Sequence, residues 1–439
     1  MCLETMTIPI PDVESTMDTD YLLTIRSVRE TNASTLPLLK SDGLLNFTTD
    51  LGKLDAVGDY VVDTVKECFP TKESLLEIPV HGRFQHFSPG NAQRLPDFIS
   101  QLQHSGLDDA TVCKALLDLF LVSVLLDAGA GNKWCYTEPG TGLNIGRSEG
   151  IAVATFYMFT EGIFSNTPKD DPYRVDGAKL AALTSEELAS GLQVTKGNLI
   201  EGFEGRLQLL NRLGNALVYN KEILSHGRPG DLLDYLVSRS TEGVVELEVL
   251  WGALMKLLTP VWPTEGRTRV NGRLLGDAWP LANKSGGIVT FHKLTQWLTY
   301  SLFKPLTDYG GLHIANAQLM TGLPEYRNGG LFVDLGVLTL KPEKQTAGME
   351  LAQDVGNSLP TFTPDDDVIV EWRSATICLL DMLLPVVNEK LGVRGTEWEL
   401  TLPKLIEAGS WKSGRKIAKE LRESTGGPPI ELMADGTVF

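Results

Sequence analysis

Apolar residues recur at helical spacing through most of this chain, most clearly after Asp108 and Asp109. Val112, Leu116, Leu119, Ser123 and Leu126 line one stripe there. A period near 3.6 residues puts such positions on one face of an α-helix. Asp108 or Asp109 supplies an N-cap, because a short carboxylate can accept from the first free backbone N–H groups. Leu207, Leu210, Leu213 and Leu217 repeat the pattern, and so do Ala375, Cys378, Leu379, Met382, Leu383, Val386 and Val387. Val57, Tyr60, Val61, Val65 and Cys68 form a shorter stripe. Strand-like alternation is several-fold rarer. The class this dictates is mainly α with a few short β-strands.

At 439 residues the chain has room for one large domain or two to three ordinary ones. No clear linker divides it. The expected organisation is a polar entry segment at 1–40, a single helical catalytic domain at 41–425 and a C-terminal tail at 426–439. The alternation at 83–87, between proline and glycine, reads as a short strand or ordered loop. Residues 127–132 read as a glycine-rich helix stop, and Ser148 as the cap of a helix over 151–164. Residues 165–177 are loop, and 231–258 is helical with a break near Gly243. Residues 260–287 form a long irregular segment holding Asp277-Ala-Trp-Pro280. A helix carrying His292 and Lys293 follows, then a short strand within 333–341. Thr363 and Asp365–Asp367 suit a helix N-terminus, with a kink at Pro385.

Charge narrows the function classes. With 39 Lys and Arg against 56 Asp and Glu, the net charge is −17. Nucleic-acid affinity comes largely from phosphate neutralisation, so a duplex-binding role is not expected. A pocket lined by a few cations can still take a small anion. The five cysteines are an odd number without CxxC spacing, which fits a reducing compartment. The first residues lack a secretory n-region and h-region. The most apolar run, 115–128, holds Asp118 and Asp127 and is too short to span a bilayer. A cytoplasmic protein without membrane partners is the expectation, and the sequence fixes no oligomeric state.

The chain contains no P-loop, GxSxG elbow or HExxH, and its glycine clusters do not follow predicted strands. A dinucleotide fold is therefore not expected, and no cofactor is required. Instead, residues 321–337 set a carboxylate, a phenol, a guanidinium and an amide side by side at Glu325, Tyr326, Arg327 and Asn328. Pro324 fixes the backbone before them, and Gly329-Gly330 admits unusual angles after them. The reading is a displayed loop or helix edge, against the plainer alternative of a solvated turn. Three stretches pair polar groups with aromatics: Arg83, Phe84, His86 and Phe87; Trp134, Cys135, Tyr136 and Glu138 with Arg147; and His292 and Lys293 with the Glu325 stretch. Rings that stack and cations that neutralise phosphate suit a ribose phosphate or a flat polar base. Trp134 and Tyr136 also suit a core, and His86 a structural role. His81, His86 and Cys135 are a looser alternative set of zinc ligands, without compact spacing.

These stretches resemble a known family over nearly the full chain. His-Gly-Arg-Phe-Gln-His-Phe at 81–87, Trp-Cys-Tyr at 134–136, Gly-Arg-Ser-Glu-Gly at 146–150, Phe-His-Lys-Leu-Thr-Gln-Trp-Leu at 291–298 and Pro-Glu-Tyr-Arg-Asn-Gly-Gly at 324–330 are similar to the fungal and bacterial uracil-catabolism protein 4 family. The resemblance implies a pathway in which uracil becomes its ribonucleotide and a GTP-cyclohydrolase-II-like enzyme opens the ring. The small-molecule substrate it implies is a ribosyl-urea, 5′-phosphorylated, to be split into urea and ribose phosphate. A more distant resemblance is to the queuosine-nucleotide salvage glycosidases, helical relatives of DNA glycosylases. Lys293 with Gln296 looks like their Lys-Arg-Ala-Gln helix. Glu325-Tyr326-Arg327, 32 residues on, looks like their catalytic Asp-Tyr-Arg. This chain has Glu for Asp, and Asn328-Gly329 for a Pro-Gln continuation.

What the resemblance implies for the site follows from the chemistry of an N-glycosidic bond. Glu325 faces the positive charge that develops on C1′. Tyr326 or His292 gives a proton to the leaving urea. Lys293 holds the phosphate, with Arg327, Arg83 or Arg147. Trp134 and Tyr136 wall the urea end, and His86 belongs to the binding residues. The competing expectations are a metal-assisted amidohydrolase using His81, His86 and Cys135, and a non-catalytic binding partner of the ring-opening enzyme.

Overall fold

A computed structural model describes residues 12–13, 15–127, 133–264, 266–284 and 287–433. Helices dominate, and the described strands are two or three residues long, in six small sheets. The class is mainly α. The expected helix stop at 128–132, Cys2 and the ends of the entry segment and tail lie outside the described residues. The chain gathers into two compact units. One takes the described residues up to His81, Pro263–Lys293 and those from Gln318 onward; the other takes Gly82–Trp262 and Leu294–Ala317.

The first unit is built on the helix Asp367–Leu391, in which every residue from Val368 to Leu380 is buried. A helix buried on all faces needs apolar neighbours all round. The sequence stripe marked only one of those faces. The Asp366 carboxylate caps the helix, accepting from the Val368 N–H at 2.8 Å. Helix Leu54–Cys68 packs closely through Gly58, where a Cβ would fall 2.7 Å from Val386 Cγ1. Val61, Val65, Phe332, Leu379, Leu383 and Leu405 join one apolar cluster. Each such burial is worth about 1.5–3 kcal/mol. Glu371, buried on the same long helix, accepts from the backbone N–H groups of Leu45 (2.8 Å) and Asn46 (2.6 Å). That anchors the start of strand Phe47–Thr49, which pairs antiparallel with Leu338–Leu340. The strand expected within 333–341 is therefore only its second half.

Two stretches that read as periphery are packed in. Helix Ile25–Asn32, capped by the Thr24 hydroxyl, buries Ile25 and Val28. Its Ser27 hydroxyl lies 2.8 Å from that of Thr290, and the Thr31 hydroxyl accepts from the Thr290 N–H at 3.1 Å. Ser27, Thr31 and Asn32 of the entry segment thus face strand Ile288–Thr290, while Arg26 and Glu30 on the same helix stay exposed. Near the other end, Ile430 is buried and Glu431–Leu432 pairs in parallel with Thr361–Phe362.

In the second unit, helix Asp109–Leu125 is buried on nearly every face and capped by the Asp108 carboxylate, which accepts from Thr111 N–H at 2.9 Å. Asp118 sits at its middle. Burial pushes this carboxyl up to about 6, against the opposing pull of Arg228. It accepts from Arg228 Nε at 3.0 Å, Gly230 N–H at 2.6 Å and Val175 N–H at 3.1 Å, as a buried carboxylate must. Residues Arg83–Phe87 form a 3-10 helix rather than a strand. Arg83 and His86 are buried together with Phe87, so the polar–apolar alternation there never sorted into two faces. Helix Arg147–Thr160 begins before the expected start and has Gly146, not Ser148, at its N-cap. Helix Phe203–Tyr219 carries the leucine stripe. The break at Gly243, with φ of 77°, leads into strand Val244–Glu246, parallel to His313–Ala315.

Candidate functional site

Glu325 follows a buried approach at 321–324, turned at Pro324 by a Glu325 N–H bond to Leu323 C=O at 2.9 Å, and stands at the N-cap of helix Tyr326–Asp334. Its Oε2 accepts from Arg327 N–H at 2.7 Å and its Oε1 from Asn328 N–H at 2.6 Å. Two backbone donors that the first turn leaves without intrahelical partners are satisfied by one carboxylate. The helix dipole adds to its fixed, charge-complementary seat. Glu325, Tyr326 and Arg327 are half-buried, whereas Asn328 is fully buried. The stretch is thus a helix edge.

Its glycines work differently from the sequence expectation. Gly329 and Gly330 lie inside the helix and need no unusual angles. They give close approach: a Cβ on Gly329 would fall 2.9 Å from the Trp372 ring and from the Thr376 hydroxyl. Trp372 donates its indole N–H to Gly329 C=O at 3.1 Å and lies 6.2 Å, centroid to centroid, from the Tyr326 ring. Arg327 Nη1 donates to Gly426 C=O at 2.6 Å.

Asn328 ties this edge to a second one. Its Oδ1 accepts from the Ser410 hydroxyl at 2.7 Å, and its Nδ2 donates to Leu323 C=O at 3.1 Å. Ser410 ends a π-helical turn, Ile406–Ser410, which joins helix Leu402–Leu405 to helix Trp411–Leu421. Such turns occur often at functional sites. Buried Glu407 in this turn lies 2.7 Å from Nδ1 of buried His81. The His81 ring is 5.7 Å from that of Trp411, and the Arg415 guanidinium lies 4.8 Å from the Trp411 ring centroid. Gly414 lets this helix meet the first: a Cβ there would fall 2.0 Å from Arg327 C=O oxygen.

A further polar centre of the same unit surrounds Asp277. Arg373 meets its buried carboxylate fork to fork, with both N–O distances 2.8 Å. Trp279 donates its indole N–H to Oδ1 at 2.7 Å, and the Lys293 backbone N–H donates to Oδ2 at 3.0 Å. Burial alone would raise the Asp277 carboxyl, but Arg373 and these donors outweigh it and hold it low. Lys293 is the first residue of helix Lys293–Asp308, and its side chain is half-buried. His292 was expected on this helix and instead precedes it, with a left-handed φ of 42°. Its Nε2 donates to Leu22 C=O at 2.8 Å, and burial holds the ring below its ordinary value. His292 is therefore a neutral ring with its Nε2 proton committed to a carbonyl.

The remaining expected residues belong to the second unit. Arg83 is fully buried; Nε donates to the Ser123 hydroxyl at 2.8 Å, Nη2 to Ser123 C=O at 3.0 Å and Nη1 to Asp127 at 3.0 Å. Its guanidinium lies 5.4 Å from the Trp297 ring centroid, against whose face His86 also packs edge-on. His86 Nδ1 lies 3.2 Å from Gly82 C=O. Trp134 is buried with its indole N–H on Leu192 C=O at 2.9 Å, and Tyr136 is buried with its ring stacked on Tyr157. Burial raises the Tyr136 phenol. Trp134 is thus a core residue with a satisfied polar tip, and Tyr136 a core ring packed on another ring. Strands Cys135–Thr137 and Asn144–Gly146 form a hairpin that delivers Arg147, at a strained φ of 56°, to the first position of its helix. Among the described residues no three His, Cys, Asp or Glu side chains gather as metal ligands, so His81, His86 and Cys135 do not form the alternative zinc set.

The family model described as "Protein of unknown function (DUF1688)" matches residues 21–439. The chain belongs to this family. It is 47% identical over 440 residues to "Uracil catabolism protein 4" of Lachancea kluyveri, an alignment covering 95% of this chain and 98% of that protein. It is 45% identical over 427 residues to "Protein urg3" of Schizosaccharomyces pombe, covering 97% of this chain and all of that protein. The motifs at 81–87, 134–136, 146–150, 291–298 and 324–330 therefore marked the right family.

Sequence reasoning passed over Glu407, Trp411 and Arg415. A signal was present: Gly409-Ser-Trp-Lys-Ser-Gly414 interrupts a helical stretch with small residues around a tryptophan. Small residues at a helix contact mark a place where another backbone comes close.

Proposed function

We propose that this chain acts in uracil catabolism as an N-glycosidase, hydrolysing a ribosyl-urea 5′-phosphate to urea and ribose 5-phosphate. The pathway rests on the name of its relative, uracil catabolism protein 4. The reaction rests on one observation above all. The Glu325 carboxylate is held by two backbone N–H groups at a half-buried helix edge, beside a phenol and a guanidinium. Such a group needs no reorganisation when positive charge appears in front of it.

In this reading Glu325 stabilises the oxocarbenium-like charge on C1′ and its ring oxygen and takes a proton from the attacking water. The C1′–N bond breaks, its electron pair passes to nitrogen, and the water oxygen bonds to C1′. The Lys293 ammonium, with Arg327, neutralises the phosphate. The experiment is direct: the protein is incubated with synthetic ribosyl-urea and with its 5′-phosphate, and urea and ribose phosphate are measured. Release of both products from the phosphate ester is expected. Release of ammonia with the ribose still attached would instead favour an amidohydrolase, and intact substrate would favour a binding partner.

A further inference from the structure

Urea is a poor leaving group as an anion, so the nitrogen that departs from C1′ must be protonated as the bond breaks. His292 is ill-placed for this, since its Nε2–H donates to Leu22 C=O and burial keeps the ring neutral. His81 has the opposite arrangement. Its Nδ1 faces the Glu407 carboxylate at 2.7 Å. Among the described residues its Nε2 has no hydrogen-bond partner. A carboxylate on one ring nitrogen fixes the tautomer and turns the other nitrogen into the working one.

The surroundings support a site rather than an isolated buried pair. Glu407 lies in a π-helical turn, a geometry found in well under about 1% of residues and often at functional positions. The last residue of that turn, Ser410, bonds Asn328 in the first turn of the helix that Glu325 caps. The Trp411 ring flanks His81, and Gly414 brings the following helix onto Arg327. Two helix edges, one capped by Glu325 and the other carrying Glu407, which holds His81, are thus locked together within one unit.

We propose that His81, oriented by Glu407, is the proton donor to the departing urea; this rests on the glycosidase reading. The Nε2 proton passes to the ureido nitrogen as the C1′–N bond breaks, and urea leaves neutral. The water proton taken by Glu325 returns through solvent to Nε2, so the cycle balances. Glu407 is a positioning residue: it holds the Nδ1 proton and takes no part in bond making.

The test compares two substrates, ribosyl-urea 5′-phosphate and a 4-nitrophenyl ribofuranoside 5-phosphate, whose phenolate leaves without a proton. H81A should lower kcat on the urea substrate by at least about 100-fold, the usual scale of general acid catalysis, with KM nearly kept. On the nitrophenyl substrate it should stay within a few-fold of the wild type, and added imidazole should restore part of the urea release. E407Q, which preserves shape, should show the same split with a smaller loss, and carries the test if H81A does not fold. E325Q should fall on both substrates. Equal losses of H81A or E407Q on both substrates, or full urea release by either, overturns the proposal while leaving the glycosidase reading standing. A wild-type protein that cleaves neither substrate removes both.

Discussion

Glu325 has two duties that one substitution can separate. Its two oxygens cap two N–H groups, and in the proposed mechanism the same charge faces C1′. Gln offers one acceptor and one NH2 to those two donors. Glu325→Gln should therefore lose one capping bond and the charge together. We expect kcat to fall by at least about 100-fold, the scale for one preorganised electrostatic group. We also expect stability to drop by roughly 0.5–2 kcal/mol, the range for a lost N-cap. Asp is itself a good N-cap, so Glu325→Asp should keep the unfolding midpoint and lose less activity. A Glu325→Gln protein with a lowered midpoint but kcat within a few-fold would reduce Glu325 to a cap. Lys293 acts through its side chain, because its backbone N–H is already engaged by Asp277. Lys293→Ala should cost roughly 10- to 150-fold in kcat/KM on the phosphorylated substrate, as loss of a charge-assisted bond worth about 1.5–3 kcal/mol would. Its effect on the unphosphorylated substrate should be much smaller, and equal losses on both would remove Lys293 from the phosphate.

Among the elements, the contact between helices Tyr326–Asp334 and Trp411–Leu421 sets the geometry of the candidate site, and it depends on Gly414. A Cβ there would overlap the Arg327 carbonyl oxygen, which is backbone and cannot turn aside. Gly414→Ala must push the helices apart. We expect a loss of about 1–3 kcal/mol, as for other overpacked contacts, read as a lower denaturant midpoint with an unchanged m-value. An unchanged midpoint would mean that this helix contact takes up a methyl group without cost. This contact also shows what was legible. The helical stripes and the caps at Asp108 and Asp366 are local features, and they were readable because the partner groups lie within a few residues. The half-buried helix edge at Glu325 was readable for the same reason. His81 and Glu407 are 326 residues apart, and nothing local in either segment announces the other. A π-helical turn leaves no period in the apolar pattern. From sequence, His292 reads as part of the helix that carries Lys293. The helix instead starts one residue later, where the Lys293 N–H meets the carboxylate of Asp277, 16 residues upstream. The glycines at 329 and 330 looked like breakers, because sequence alone does not distinguish a glycine needed for its angles from one needed for its missing Cβ.

For the molecule as a whole, each compact unit is assembled from segments distant in sequence. The second unit takes most of its chain from Gly82–Trp262 and completes itself with Leu294–Ala317. The late segment is not an ornament. Its Ser301 hydroxyl accepts from the Arg83 backbone N–H at 2.9 Å, and its Trp297 stands against the Arg83 guanidinium and the His86 ring. Its strand His313–Ala315 supplies the parallel partner of Val244–Glu246. A fragment ending at Trp262 keeps the central helix Asp109–Leu125 but leaves Arg83 and its neighbours uncovered on that side. Buried charge without its surrounding contacts is costly, and an unpaired strand exposes a row of free N–H and C=O groups. We therefore expect residues 82–262, expressed alone, to show helical far-ultraviolet dichroism without a cooperative thermal transition. Joining 294–317 to the C-terminal end of that fragment through a flexible linker should restore a sharp transition. A cooperative melt from 82–262 alone would show that the late segment only decorates a unit already complete, and the Arg83 region would then have to be held by the early segment's own contacts with Ser123 and Asp127.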